Sequence, residues 1–387
     1  MKKIILFLLP LLFFCEITYG RTQISLLTST ACDNAIYTVW GHSAIRVYNE
    51  KEDHVYNYGV FSFGEGFIYN FITGQTDYKV DRDYSVLSSI RSANRKNVYL
   101  YEQLLNVTEE EANEIALNLE LNALPENCYY RYNFFYDNCA TRPRKMIEKS
   151  ISDIQYPIFN NTKTYRDIIY ELTATLPWYT LAIDYCMGSP TDQVVSDSLM
   201  MFLPLELNKA LSQATRKDSL GNNVPVVKYE HTLVTPSEKK TFENQLHPTW
   251  VITIAALILA ILIIVGYKRW NQRVLDIVLF ALFGILGSLI FFLNFFSEHP
   301  CVSPNFNLLW SNPLQLLFAI LVPIKRFKKI GIKYQYFNLT TIVLAFIIGV
   351  THIQVFNPAF YPAIAILAMQ SISYILRKGE KKANKSK

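Results

Sequence analysis

Residues 136–144 read Tyr136-Asp137-Asn138-Cys139-Ala140-Thr141-Arg142-Pro143-Arg144 and place a cysteine at the predicted start of a helix. About a hundred residues earlier, the run Gly41-His42-Ser43-Ala44-Ile45-Arg46-Val47 predicts a strand that carries a histidine. A helix N-terminus and a nearby imidazole both favour the thiolate, which is the nucleophilic form of cysteine. The two runs therefore predict a catalytic pair, with Cys139 as the nucleophile and His42 as its base.

The order of this pair indicates a fold. The histidine comes first and the cysteine later, which is the reverse of papain and the order of circularly permuted papain-like folds. Asn138 is a suitable helix cap. Pro143 is tolerated only in a first turn, so the helix is expected to begin no earlier than about Cys139.

Patterns around the pair predict a sheet with helices. Segments 44–48 and 54–58 form a hairpin by their alternation, and segments 78–82 and 86–91 are expected to be extended. A helix is expected after residue 108, where Thr108 and Glu111 match a capping box. Residues 198–212 are amphipathic, which predicts either a core helix or a lid that lies on the membrane.

The group that orients His42 is less certain from sequence. Asn57, on the return strand of the hairpin, can fix the imidazole tautomer, while Asp53 and His54 compete from the turn. We take Asn57 as the candidate and leave the third catalytic role open.

The second part of the chain has the composition of a membrane domain. Five apolar stretches, each close to the roughly 20 residues of a spanning helix, cover residues 250–266, 274–296, 308–324, 338–356 and 359–376. Lysine and arginine follow the first, third and fifth stretches, whereas residues 297–307 and 357–362 contain neither. The positive-inside rule then places the basic segments in the cytoplasm and the large N-terminal domain outside.

The N-terminus agrees with this orientation. Two lysines, an apolar stretch at residues 4–14 and small residues before position 21 predict a signal peptide cleaved after Gly20. A lipid-attachment site at Cys15 is the competing interpretation, which the bulk of Phe14 disfavours. Five cysteines remain in the mature chain, so at least one thiol stays free in an oxidising compartment.

Charge excludes one class of partner. Although the whole chain has a formal charge of +5, residues 21–248 contain 21 Lys+Arg against 28 Asp+Glu, a balance of −7. The positive charge is therefore concentrated in the cytoplasmic segments, and we expect no nucleic-acid partner.

The motifs together resemble the Lnb family of Bacteroidota membrane proteins. The resemblance rests on the histidine hairpin with Val55-Tyr56-Asn57-Tyr58-Gly59, on the cysteine run, and on the loop residues His299-Pro300, Asn305, Asn307-Leu308-Leu309-Trp310 and Asn312-Pro313. It implies a lipoprotein N-acyltransferase, which moves an acyl chain from a phospholipid through a cysteine thioester to the N-terminal amine of a diacylglyceryl-cysteine lipoprotein.

This interpretation fixes a set of expectations. We expect a signal peptide (1–20), an α+β periplasmic domain (21–235) with a permuted papain-like fold, a linker (236–248), an all-α transmembrane bundle of five helices (249–376) and a basic cytoplasmic tail (377–387). The site lies outside the inner membrane and needs no metal or cofactor. The expected substrate-binding residues are Tyr136, Asn138, Arg142, Arg144 and His299, although an ion pair would equally explain the two arginines.

Two other functions use the same residues. A membrane-anchored cysteine peptidase or amidase acting on cell-wall peptides would need the same cysteine and histidine, but one anchoring helix would suffice for it. A non-catalytic membrane sensor would not need the thiol at all.

Overall fold

The computed structural model describes residues 20–32, 38–218, 220–237, 246–267 and 272–383. The predicted signal peptide, apart from Gly20, and the alternative lipid-attachment site at Cys15 lie outside the described residues. So do most of the predicted linker 236–248 and the last four residues of the predicted tail 377–387.

An antiparallel sheet is the centre of the first domain. The strands within the described residues are β1 (Gln23–Ser29), β2 (His42–Tyr48), β3 (Asp53–Val60), β4 (Asp77–Asp83), β5 (Leu100–Leu105), β6 (Tyr129–Arg131), β7 (Thr215–Lys217), β8 (Asn223–Pro225) and β9 (Val227–Val234). Seven of them form one sheet in the order β6-β4-β3-β2-β1-β5-β9, and β7 pairs with β8. The predicted hairpin is confirmed, because β2 pairs with β3 from Ala44 opposite Asn57 to Tyr48 opposite Asp53.

Helices cover both faces of this sheet. Those of the first domain are α1 (Phe67–Thr73), α2 (Leu87–Lys96), α3 (Glu109–Ala123), α4 (Thr141–Ser150), α5 (Tyr165–Leu172), α6 (Pro177–Cys186), α7 (Asp197–Met200) and α8 (Pro204–Gln213). Alternate strand residues such as Leu26 and Ile45 pack under α3, α4 and α8, while Leu27 and Ala44 pack on the opposite face against α2. The antiparallel sheet plus helices is confirmed; the permuted papain-like fold stays a prediction.

Two predicted helix starts are confirmed. Thr108 and Glu111 form the capping box of α3, with both reciprocal hydrogen bonds present. Helix α4 begins at Thr141, so Pro143 is its third residue and lies in the first turn, where its missing N–H is harmless.

One other segment differs from its prediction, and a second resolves to one of its two predicted alternatives, a core helix. The extended segment predicted at 86–91 is wrong, because α2 begins at Leu87. Val86, Ile90 and Ala93 recur at helical spacing and pack on the sheet, which favours a helix over a strand. Residues 198–212 form two core helices, α7 and α8, with Pro204 as the first residue of the second.

The second domain is a bundle of apolar helices. These are α9 (Pro248–Gly266), α10 (Arg273–Phe296), α11 (Pro313–Leu321), α12 (Lys328–Val350) and α13 (Phe360–Ala383). Four of them, α9, α10, α12 and α13, are long and apolar enough to cross a membrane by length and composition.

The prediction of five spanning helices is therefore wrong in its third member. The stretch 308–324 is divided into a 3-10 helix at Phe306–Leu309 and the nine-residue helix α11. Asn312 and Pro313 begin a new helix, since the asparagine caps it and the proline fits its first position. Nine residues span only about 14 Å of helix, against roughly 30 Å of hydrocarbon. The fourth predicted stretch also begins ten residues too late, because α12 starts at Lys328.

The short helix α11 nevertheless leads the chain back along the bundle, towards the start of α10. Phe318 contacts Phe280 near the start of α10, whereas Asn312 lies beside Gly287 further along it. A methyl group on Gly284 would overlap the backbone of Leu316, so α11 packs directly on the backbone of α10. Helices α10 and α11 are thus antiparallel and in close contact.

A buried arginine fastens the sheet domain to the bundle. Arg166 on α5 is 2% exposed and pairs with Asp184 on α6 and with Asp192, whose carboxylate lies 2.7 Å from the arginine Nε. Asp192 also accepts the backbone N–H of Val355 in the loop before α13, at 3.3 Å. Beside this network, the N–H of Gly188 donates to the Cys301 carbonyl at 2.7 Å.

A second attachment joins α1 to the end of α10. The N–H of Glu298 donates to the carbonyl of Thr73 at 2.8 Å, and the Ser297 hydroxyl donates to the carbonyl of Ile72 at 2.9 Å. The Glu298 carboxylate also accepts from Arg131 on β6 at 2.9 Å. The sheet domain therefore sits on the Phe296 end of the bundle.

Replacing Gly284 by alanine is expected to destabilise the bundle by about 1–3 kcal/mol, because the methyl group overlaps a neighbouring backbone. Gly379→Ala on α13 is the matched control, since nothing lies within 4 Å of its added methyl group. The measurement is the thermal unfolding midpoint of the full chain in detergent. Equal midpoints for the two variants would contradict the packing of α11 on α10.

Candidate functional site

Cys139 lies on a turn that Asn138 holds in place. The Asn138 side-chain oxygen accepts the N–H groups of Ala140 at 2.8 Å and Thr141 at 3.0 Å in the turn that leads into α4, whose N-cap residue is Ala140. Its amide donates to the carbonyls of Phe134 at 2.8 Å and Phe202 at 2.9 Å. Asn138 is only 5% exposed, and all four bonds stay within the protein.

The cysteine packs against the hairpin that carries His42. The backbone N–H of Ser43, the residue after the histidine, hydrogen bonds to the Cys139 sulfur. On the neighbouring strand, Gly59 has φ +81°, and a methyl group there would lie 3.7 Å from the Cys139 Cβ and 3.3 Å from the Tyr132 ring. The Cys139 sulfur thus lies against the backbone of the strand that carries His42, and the pairing of these two side chains stays a prediction.

His42 begins a chain of polar side chains across the sheet. Its Nε2 lies 3.1 Å from the Asn57 side-chain oxygen, and the Asn57 amide donates to Asp83 at 3.1 Å. The same Asp83 oxygen accepts the Ser88 hydroxyl at 2.7 Å. Asn57 is therefore the residue that the structure pairs with His42, as expected, and Asp83 follows it.

This chain fixes the imidazole tautomer. The Asn57 NH₂ group donates to Asp83, so the Asn57 oxygen faces His42 and accepts from it. A neutral His42 then carries its proton on Nε2 and keeps a free lone pair on Nδ1. That lone pair makes the ring a base.

Burial keeps both members of the pair uncharged. It lowers the pKa of His42, a shift that the Asn57 hydrogen bond opposes and the nearby charge of Lys96 reinforces. Burial also raises the pKa of Cys139 to about 11, against hydrogen bonds from Ser43 and its own N–H that lower it. The expectation that the helix start favours the thiolate is wrong for the resting site. Burial raises the pKa more than these hydrogen bonds lower it, and the next two N–H groups, those of Ala140 and Thr141, are bonded to Asn138.

A tyrosine that sequence reasoning missed lies beside the thiol. Tyr130 on β6 is buried, and its hydroxyl oxygen would lie 3.9 Å from a methyl group on Gly59. The Gly59 N–H points towards that oxygen, but the hydroxyl proton finds no acceptor among the described residues. Burial raises the Tyr130 pKa, so the group stays protonated and is free to donate. Its one sequence signal is the aromatic run before the cysteine.

The competing partners for His42 are engaged elsewhere. Asp53 pairs with Arg46 at 2.7 Å and accepts the N–H of Val86 at 2.9 Å. His54 lies 3.8 Å from Glu52. Both therefore belong to the far end of the hairpin.

The two arginines after the cysteine make ion pairs. Arg142 binds Asp137 at 2.7 Å and lies 3.6 Å from the centre of the Tyr130 ring. Arg144 binds Glu148 at 2.6 Å and donates to the Ser198 carbonyl at 2.7 Å. Phosphate binding by either arginine stays a prediction.

The remaining predicted binding residues face the membrane domain. Tyr136 is exposed and its hydroxyl interacts with Cys301, in the loop after α10. His299, in the same loop, stacks on Phe134 at 5.1 Å and hydrogen bonds to the Phe71 carbonyl through Nε2. Burial lowers the pKa of His299.

Comparison with known families follows the division into two domains. The model of the Lnb N-terminal periplasmic domain matches residues 16–171, and the model of the Lnb transmembrane domain matches residues 238–382. Searches among curated proteins and among solved structures found no match.

The raised pKa of Cys139 predicts its pH dependence. Thiolate is the reactive form, so alkylation of Cys139 by iodoacetamide should accelerate about tenfold per pH unit from pH 7 to 10 without reaching a plateau. The measurement is mass spectrometry of the Cys139 peptide from the full chain. A rate that is already constant by pH 8 would mean that the thiolate is stabilised in the resting site.

Proposed function

Because this chain belongs to the Lnb family, with a periplasmic domain followed by a transmembrane domain, we propose that it is a lipoprotein N-acyltransferase. It takes an acyl chain from a phospholipid and transfers it, through a thioester on Cys139, to the N-terminal amine of a diacylglyceryl-cysteine lipoprotein. The observation that supports the proposal is that the Cys139 sulfur accepts the N–H of Ser43, on the strand where His42 begins the chain His42–Asn57–Asp83.

The first half-reaction forms the thioester. Nδ1 of His42 takes the thiol proton as the Cys139 sulfur attacks the ester carbonyl of the phospholipid. The tetrahedral intermediate then expels the lysophospholipid alkoxide, which receives that proton from His42. A neutral thiol and a neutral imidazole suit this order, because the proton moves only as the bond forms.

The second half-reaction forms an amide. The neutral α-amine of the lipoprotein attacks the thioester carbonyl and gives a proton to His42. Collapse of the second intermediate releases the Cys139 sulfur, which recovers the proton from the imidazole. Asn57 keeps the ring oriented in both halves, and Asp83 keeps Asn57 oriented.

An oxyanion forms in both half-reactions and needs a donor. The hydroxyl of Tyr130 has an unused proton close to the cysteine, which supports a role as that donor. A buried donor aimed at developing charge stabilises it more than water does, since it needs no reorganisation.

The membrane domain supports a lipid substrate. The sheet domain is attached to the Phe296 end of the bundle at two places, so a site on it stays close to the surface of the bilayer. We infer an inner-membrane location with this domain in the periplasm and basic segments in the cytoplasm. A cell-wall peptidase would use the same thiol but has no need of a packed bundle.

The deciding experiment expresses this protein in cells depleted of their own lipoprotein N-acyltransferase and examines lipoprotein N-termini by mass spectrometry. We expect N-acylated lipoproteins with the parent chain, and loss of N-acylation with Cys139→Ala or His42→Ala. Cys139→Ala removes the sulfur that bonds to the acyl chain, and His42→Ala removes the base that transfers the proton. Leu117→Ala, at an exposed position on α3, is the control for expression. Lipoproteins that remain diacylated with the parent chain present would refute the proposal.

Tyr130→Phe is expected to slow acylation of Cys139 by about 10²-fold, the usual effect of losing one oxyanion donor. Tyr129→Phe is the matched control, because this neighbour is exposed. The measurement is the Cys139 thioester formed from phospholipid vesicles, with iodoacetamide labelling of Cys139 as the check that the site is intact. Equal acylation rates in the two variants would assign the oxyanion to another donor.

A further inference from the structure

The segment from the end of β3 through α1 exposes a cluster of apolar side chains. Phe63 is 75% exposed, Ile68 74% and Tyr69 65%. Large apolar side chains clustered on the surface of a protein mark a surface that another body covers. Nothing in the described residues covers this one.

The position of α1 identifies the covering body as a lipid bilayer. Its last residues, Ile72 and Thr73, are hydrogen bonded to Ser297 and Glu298, directly after α10. The end of α10 exposes Phe295 and Phe296, each 60%. The apolar surface of α1 thus continues the lipid-facing surface of a membrane helix.

Four rings along this segment form a continuous row, which we call the aromatic row: Phe61, Phe63, Phe67 and Phe71. Consecutive members lie 4.8–5.8 Å apart between ring centroids. Phe71 is at the end of the row next to His299, which it contacts at 5.7 Å. The row therefore begins at the junction with the membrane domain.

The other end of the row leads to the thiol. Phe61 contacts Tyr78 at 5.0 Å, and Tyr78 stacks on Tyr132 at 4.2 Å. Tyr132 borders Gly59, where the Cys139 Cβ is also close. An apolar path of aromatic rings therefore runs from the bilayer junction to the nucleophile.

We propose that the aromatic row inserts into the leaflet nearer the sheet domain and guides a phospholipid acyl chain from that leaflet to Cys139. The inference rests on the proposed function for its second part, since a path to the thiol matters only if the thiol takes acyl chains. The first part of the proposal, contact between α1 and lipid, depends only on the exposed side chains and on the attachment of α1 to the end of α10. Apolar side chains presented at a bilayer surface bind it in proportion to the apolar area that they bury.

Lipid contact is tested without any reference to catalysis. Benzoylphenylalanine is placed at position 68 of the full chain in nanodiscs of phosphatidylethanolamine and phosphatidylglycerol, and lipid adducts are detected by mass spectrometry after illumination. Position 158 is the matched control: Ile158 is 80% exposed, and its neighbour Phe159 packs on the core of the sheet domain. We expect adducts at 68 and not at 158. No adduct at 68, or equal adducts at both positions, would overturn the proposal.

The path is tested with two substitutions, which we call the row variants: Phe63→Ser in the aromatic row and Ile68→Ser beside it on α1. Ile158→Ser is the control. We expect each row variant to form the Cys139 thioester at least five-fold more slowly from nanodisc phospholipid, with iodoacetamide labelling of Cys139 unchanged. Row variants that match the control in acylation would refute guidance of the chain. If the parent forms no thioester at all, the proposed function fails, whereas the adduct at position 68 still decides the membrane contact.

Discussion

The buried guanidinium of Arg166 determines how the sheet domain contacts the helical bundle. A buried Arg166 without partners would be strongly destabilising, so Asp184 and Asp192 must both be in place when α5 packs. Asp192 in turn binds the backbone at Val355, which belongs to the membrane domain. Both carboxylates that compensate Arg166 belong to the first domain, and Asp192 adds a hydrogen bond to the second. Apolar packing strengthens this attachment, because Tyr185 on α6 lies against Trp310 and Phe360 of the membrane domain.

In contrast to the Arg166 network, the candidate site contains no ion pair at rest, because His42 and Cys139 are both uncharged. His42 is bonded to Asn57 through Nε2, the Tyr130 hydroxyl has no acceptor among the described residues, and the Cys139 thiol is protonated. The neighbouring arginines are neutralised by carboxylates and add little field of their own.

Sequence patterns predicted the features that depend on neighbouring residues. The hairpin and the capped helix are local signals, and both lie where expected. Asp83 and Tyr130 lie on strands whose places depend on pairing across the sheet, so a local pattern cannot assign them to the site. Segment 86–91 was misassigned because six residues are too few to separate helical from alternating periodicity. Hydropathy likewise missed the break at Asn312 and Pro313, since an average over 20 residues hides two that start a helix.

Because Cys139 is protonated at rest, its sulfur is protected from oxidation. Peroxide and other oxidants attack thiolate, and sulfenic acid formation scales with the ionised fraction. With a pKa of about 11, Cys139 is ionised in roughly one molecule in ten thousand at pH 7. Under the proposed function, the burial that delays deprotonation until an ester binds also protects the sulfur from oxidation between reactions.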